Sequence, residues 1–406
     1  MTADEIRRRL SALRRAGFAL RRRPAPLTLD ALARVMDGWS DADSAWRAAL
    51  ERDLPQATGF APETVREGLR IALESWDGAA LRRLVADELG APDTVVGPDA
   101  TAVLLAGSIP MPTLLALVAP LVLRSPVLAK PGSRDPVTAH HVARSIAEVD
   151  PLLGACIAVV DVPGDDEAAI GALLEAECIA ATGSDETIAS IARRVPPGRR
   201  LVAAGHRLSV AVLGEEASHG EPLRRACEGL ALDVALWDQQ GCLSPIAVYP
   251  LGAGAGDRVL EALADALADA EARWPRGRVD VAAAAAIEHE RASAELRRAS
   301  GRPVAIRSGE AWTAVLEEHP TPRPAPLHRF VRVHPLPDAD ALAAAFTPLS
   351  PHLAGVAVAG FGRHEAQMRR ALAGLGASRV CSPGRLQAPP LDWRREGRGV
   401  LEPLVG

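Results

Sequence analysis

The sequence predicts an α/β protein: a doubly wound parallel sheet, a second α/β unit after it, and a helical segment before it. Three observations carry this. From residue 101, short apolar runs alternate with amphipathic stretches, the signature of βαβ units. Polar or glycine-bearing turns follow those runs at Ser108, Lys130 and Thr182-Gly183-Ser184, where a parallel sheet gathers them along its carboxyl edge. The 406 residues, 48% hydrophobic and 24% charged, suffice for two or three domains with sizeable cores.

The first ~95 residues read as helices joined by proline-rich turns. Their opening run, Ile6 to Arg23, is amphipathic and strongly basic, with either a solvated arginine face or one suited to an acidic partner or membrane surface. Ala102–Ala106 is expected as a buried strand, 112–123 as a helix and Val127–Ala129 as the next strand. Strands at 155–162, 178–181 and 201–204 alternate with helices at 137–149, 165–175 and 185–194. A second α/β unit follows, with a strand at 208–213, a helix at 221–231, a polar loop at 238–244, a strand at 245–249 and a helix at 256–274. The run Ala282–Ala286 is read as helix, and the proline-rich end as an irregular tail over the body. The expected division is therefore 1–95, 96–205, 206–365 and 366–406.

A net charge of -5 and a pI near 6.1 give no global reason to expect nucleic acid. The apolar stretch 101–129 is long enough to span a membrane. Its interruptions by Gly107, Ser108, Pro110, Pro112, Pro120, Arg124 and Pro126 read instead as strand–helix–strand, so no integral membrane segment is expected. Five cysteines without metal-type spacing, and no secretory signal, point to a reducing cytoplasm and to no metal site.

Of the 46 basic side chains, Lys130 is the only lysine, in Val127-Leu-Ala-Lys130-Pro-Gly-Ser133. A compact ammonium at a strand end suits a site too slim for the arginine fork. Thr182-Gly183-Ser184 ends an apolar strand and opens a helix, an arrangement suited to anion binding or simply to capping. Cys242, in Asp238-Gln-Gln-Gly-Cys242-Leu-Ser-Pro245, lies in a polar loop, whereas Cys156, Cys178 and Cys227 sit in apolar segments. It is the candidate thiolate nucleophile. His206 ends the last strand of the first unit, placed either as a base or as a junction residue making one backbone hydrogen bond.

Together the Lys-Pro-Gly-Ser strand end, the Thr-Gly-Ser turn and the Gly-Cys loop resemble the aldehyde dehydrogenase superfamily. Ala106-Gly-Ser-Ile-Pro110, Ala204-Gly-His-Arg-Leu-Ser-Val210, Asp238–Pro245, Ser378–Gln387 and Pro389–Trp393 resemble, more narrowly, the LuxC-type acyl-CoA reductases. The resemblance implies an aldehyde-dehydrogenase-like fold, with NAD(P) bound by 96–205 and the nucleophile carried by 206–365. It implies that Cys242 takes an acyl group from acyl-CoA or an acyl-carrier protein. NADPH or NADH, held by Lys130, Ser133, Arg134, Thr182, Gly183 and Ser184, then reduces it to an aldehyde. The Cys242 N–H and Ser108 would hold the oxyanion. Ser108 stands where the family has asparagine, and losing one such donor costs about 2.7–4 kcal/mol.

No glutamate occupies the Ala-Gly-His206 position, where acid-forming dehydrogenases carry one to activate water. This disfavours the alternative of free-acid production, and a non-catalytic scaffold subunit is the other alternative. In the superfamily the residue three positions after the strand-end lysine lies near the adenosine ribose. Here it is Ser133, followed by Arg134, so the resemblance implies no acid against a 2′-phosphate and NADPH serving at least as well as NADH. Capping of the helix that begins near Val137 is the other role open to these two residues. The resemblance also implies a homo-oligomer and leaves room for an acyl-transfer partner enzyme.

Overall fold

The computed structural model describes residues 1–90 and 95–405. The expected boundary near residue 95 borders residues 91–94, which lie outside the described residues, as does the last residue of the expected tail. The chain forms two compact units, one of residues 1–58, 72–206 and 390–406, the other of 59–71 and 207–389.

In the first unit, β1 (Thr101–Leu104), β2 (Val127–Lys130), β3 (Ile157–Val159), β4 (Cys178–Thr182) and β5 (Arg200–Ala204) form an all-parallel sheet in the order β3-β2-β1-β4-β5. The strand order reverses between β1 and β4, the switch point where such sheets bind ligands. The apolar stretch 101–129 is β1, the helix Pro110–Val122 and β2, as its interruptions predicted. No helix among the described residues is long and apolar enough to cross a membrane.

The basic helix Ala3–Arg22 is a layer of this unit. Thr2 and Glu5 close a capping box at its start. Its apolar stripe of Ile6, Leu10 and Leu13 packs into the core with Leu104, Leu128, Ile170 and Ile179, so that face is unavailable to lipid. Arg7 and Arg14 pair with Glu175 and Glu177, each at 2.8 Å.

The second unit holds β6 (Leu208–Leu213), β7 (Pro245–Pro250), β8 (Ala305–Ser308), β9 (Thr313–Leu316), β10 (Phe330–Val333), β11 (Leu353–Ala359) and β12 (Arg379–Cys381), in the order β12-β11-β6-β7-β10-β9-β8. Among the described residues only β8 and β9 pair antiparallel within this sheet. Val210, Val212, Tyr249, Phe346 and Val358 centre one core cluster on it. The alanine run lies in the helix Val281–Ala299, whose first turn is capped by Asp280.

The expectation of a tail from residue 366 needs correction. Residues 365–374 form a helix, and Val380 pairs with Val356 at the edge of the second sheet. A strand of only three residues between Ser378 and Ser382 has too short a pattern to stand out. The stretch 390–406 groups instead with the first unit.

Candidate active site

In the first unit the structure gathers Ser108, Lys130, Thr182, Gly183, Ser184 and His206 on the carboxyl edge of the sheet. Leu104 pairs with both Lys130 and Ala181, and Thr182 with Ala204, so the turns after β1, β2, β4 and β5 leave at one level. Gly107 turns the chain away from β1 with φ of 91°, a conformation that favours glycine. Ser108 follows and is buried. A Cβ on Gly132 would stand 3.2 Å from both the Ala106 Cα and the Gly107 oxygen, so glycine lets the Lys-Pro-Gly turn lie against the Ser108 turn.

Lys130 is only 8% exposed, and its Nζ donates to the Pro131 carbonyl at 3.1 Å. Burial pulls its pKa below that of an ordinary lysine, and Asp161 opposes the shift. Two of its three N–H donors have no acceptor among the described residues. Ser133 and Arg134 are exposed on the turn from Gly132 to Asp135. The helix Thr138–Val149 starts not on them but on Asp135, which accepts from the N–H of Val137 and Thr138 at 3.2 and 3.0 Å.

The Gly183 N–H is committed to the sheet, donating to the Ala204 carbonyl. Ser184 caps the helix Asp185–Arg194 by accepting from Thr187 N–H at 3.2 Å. The His206 N–H donates to Asp185 at 2.8 Å and its side chain is exposed. The backbone bond is the one that the junction reading expects of this histidine.

Cys242 belongs to the second unit, at the amino ends of β6, β7 and β10. Its loop, read from the sequence as simply polar, is mostly buried: Asp238, Gln239, Leu243 and Ser244 are all inside, while Cys242 is half-buried. Burial without loss of stability requires each polar group to be paired. Asp238 accepts from Arg329 at 2.7 Å and from Gly277 N–H at 3.0 Å. The Gln239 amide donates to the carbonyls of Pro245 and Phe330, at 2.8 and 3.0 Å, and accepts from Phe330 N–H at 2.9 Å. Ser209 donates to the Cys242 carbonyl at 2.7 Å and accepts from Gly355 N–H.

Residues 237–239 and 327–329 are all left-handed without a glycine, with φ between 47° and 70°. Each costs about 1–2 kcal/mol and persists only where its surroundings fix it. Trp237 is fixed against Gly68, where any Cβ would come within 2.3 Å of the indole. The Ser378–Gln387 motif also braces this loop. Asp233 accepts from Gly384 and Leu386 N–H at 2.7 and 3.0 Å, and Gln387 donates to Asp233 O and Ser244 Oγ. Full burial pushes the Asp233 carboxyl up to about 7, against the pull of these backbone donors.

The other four thiols are raised by burial, Cys156, Cys178 and Cys381 to about 11 and Cys227 to about 12. They are correspondingly poor nucleophiles. Sequence reasoning missed Asp135, Ser209, Asp233, Gln239 and Gln387. Asp233 alone carried a signal, as a lone acid in the apolar helix run Leu230-Ala-Leu-Asp-Val-Ala235.

The fold is that of the aldehyde dehydrogenases. An NAD-dependent benzaldehyde dehydrogenase from Corynebacterium glutamicum superposes with a TM-score of 0.72 at 13% identity, over 100% of this chain and 89% of that one. Betaine aldehyde dehydrogenase from Staphylococcus aureus, solved with NAD+, gives 0.70 at 16% identity, over 94% and 82%. Residues 24–405 match the sequence model of the acyl-CoA reductase (LuxC) family, and the chain belongs to that family. The long-chain acyl-protein thioester reductases of Photorhabdus luminescens and Vibrio harveyi are each 25% identical to it, over 53% and 52% of this chain and 48% and 47% of theirs. The chain thus spans about half the length of the curated relatives it matches.

Proposed function

We propose that this protein reduces an acyl thioester, carried on CoA or an acyl-carrier protein, to an aldehyde at the expense of NADPH or NADH. The observation that carries the reading is the half-buried Cys242 on a loop held by Ser209, Gln239 and Gln387, in a chain of the acyl-CoA reductase family. The relatives' long-chain acyl-protein substrates support a fatty acyl group.

The Cys242 thiolate attacks the thioester carbonyl carbon, and the carrier leaves as its thiolate, which takes a proton from solvent. Ser108 and the Cys242 N–H are the donors assigned to the oxyanion. A bound nicotinamide cofactor would supply the hydride that reduces the acyl carbon of the Cys242 thioester. The resulting thiohemiacetal collapses to the aldehyde and returns the thiolate. Lys130 fits the cofactor because a ribose diol would accept from the N–H donors that the protein leaves open. Ser184 and the N-terminus of the helix Asp185–Arg194 suit a pyrophosphate. Ser133 and Arg134 border the same edge and place no acid against a 2′-phosphate. The same reading has the enzyme working as a cytoplasmic homo-oligomer, fed directly or by an acyl-transfer enzyme.

Acyl-CoA should drive oxidation of NADPH with release of aldehyde, at kcat/KM at least equal to that with NADH. Formation of free acid from an aldehyde instead, or no turnover of any acyl thioester, would overturn the reading. Lys130→Arg should weaken NADPH binding about 10- to 100-fold, as expected for about 1.5–3 kcal/mol in hydrogen bonds to a charged group. Binding is read by quenching or enhancement of nicotinamide fluorescence. His206→Gln should slow acyl transfer about 10²–10⁴-fold if the exposed imidazole is the base, and an unchanged rate would leave His206 its backbone role alone.

A further inference from the structure

We infer that Gln239 is a positioning residue for Cys242, acting through a clasp between two left-handed turns. The inference rests on the reading of Cys242 as the acyl-accepting nucleophile. Gln239 sits at the start of the Cys242 loop, and its Nε2 donates to the carbonyl of Pro245, where that loop ends. One amide therefore closes the segment 239–245, with Cys242 at its middle. The same amide is tied to Phe330 by a second donated bond and one accepted bond. Its neighbour Asp238 grips Arg329 with both side chains buried.

The two strained turns, 237–239 and 327–329, thus hold each other through adjacent residues. Neither turn has a glycine to relieve it, so the conformation of each depends on the other. Inside the loop, Ser209 fixes the Cys242 carbonyl from below and Gln387 fixes Ser244. Thiol direction follows backbone direction at Cys242. A frame of this kind narrows the thiol to the few staggered χ1 positions that a fixed Cys242 backbone leaves open, and such placement is what attack on a carbonyl carbon requires.

Gln239→Glu tests this, since it keeps the acceptor for Phe330 N–H and removes the donor to both carbonyls. The readout is the rate of acyl transfer from a labelled acyl-CoA to Cys242 in the absence of cofactor, located by mass spectrometry on the intact folded chain. The expected result is a loss of about 10²-fold in the transfer rate, the scale of a 1 Å misplacement. KM for acyl-CoA and the affinity for NADPH should stay within about twofold of the parent. The variant should also recover rate as pH falls, because the introduced carboxyl regains a donor once it is protonated; the parent should not.

A folded Gln239→Glu protein that acylates Cys242 at the parent rate overturns the positioning role and leaves the nucleophile reading standing. A parent protein that takes no acyl group on Cys242 overturns both. If Gln239→Glu does not fold, Gln239→Met, which keeps the length of the side chain and removes its bonds to Pro245 and Phe330, is read by the same assay against the same two outcomes.

Discussion

Cys242→Ala should abolish aldehyde formation, lowering kcat at least about 10⁴-fold as loss of a covalent nucleophile does, while NADPH still binds. The frame predicts a clean result. The hydrogen bond that Cys242 receives from Ser209 ends on its backbone oxygen rather than on Sγ. Removing the sulfur therefore leaves the loop's closure through Gln239, Ser209 and Gln387 in place. Thermal unfolding of the variant should overlay the parent, and NADPH oxidation with acyl-CoA should fall to background. Residual turnover near the parent rate would move the nucleophile elsewhere.

Arg329→Ala should destabilise the second unit strongly, by about 3–5 kcal/mol, because it strands the Asp238 carboxylate in the interior. The pair is 1% and 2% exposed at 2.7 Å. Arg329 also donates to the partly buried Trp274 carbonyl at 2.7 Å, a bond that is lost as well. Urea unfolding should show the midpoint moving down with little change of slope. Arg224→Ala is the contrast. That arginine bridges Glu221 and Glu228 on an exposed helix face, where screening leaves little to lose, and its midpoint should scarcely move.

The parts of the fold legible in the sequence are those written in local pattern. The apolar runs that form β1, β2 and β4 are each bounded by a turn residue, and the helix Asp185–Arg194 begins after its cap and ends in two arginines, as read. The gathering of Ser108, Lys130 and the Thr182–Ser184 turn follows from the parallel register alone. What could not be read is long-range or conformationally disguised. The turns 237–239 and 327–329 are left-handed without glycine or asparagine in place, so no residue announces them. Asp238 and Arg329 meet across 91 positions of chain. By pattern Ser133 and Arg134 suit the start of a helix, yet Asp135 holds its first N–H groups because the Gly132 turn folds that carboxyl inward. The tail motif is recognisable as a family feature, but only the structure connects Gln387 to the loop of Cys242.

Cys242 as the acyl acceptor is tested most directly by incubating the protein with labelled acyl-CoA in the absence of cofactor and mapping the adduct by mass spectrometry. A single acyl group on Cys242, discharged when NADPH is added, is the predicted result. Label on Cys156, Cys178, Cys227 or Cys381 instead, or on no residue, would contradict it.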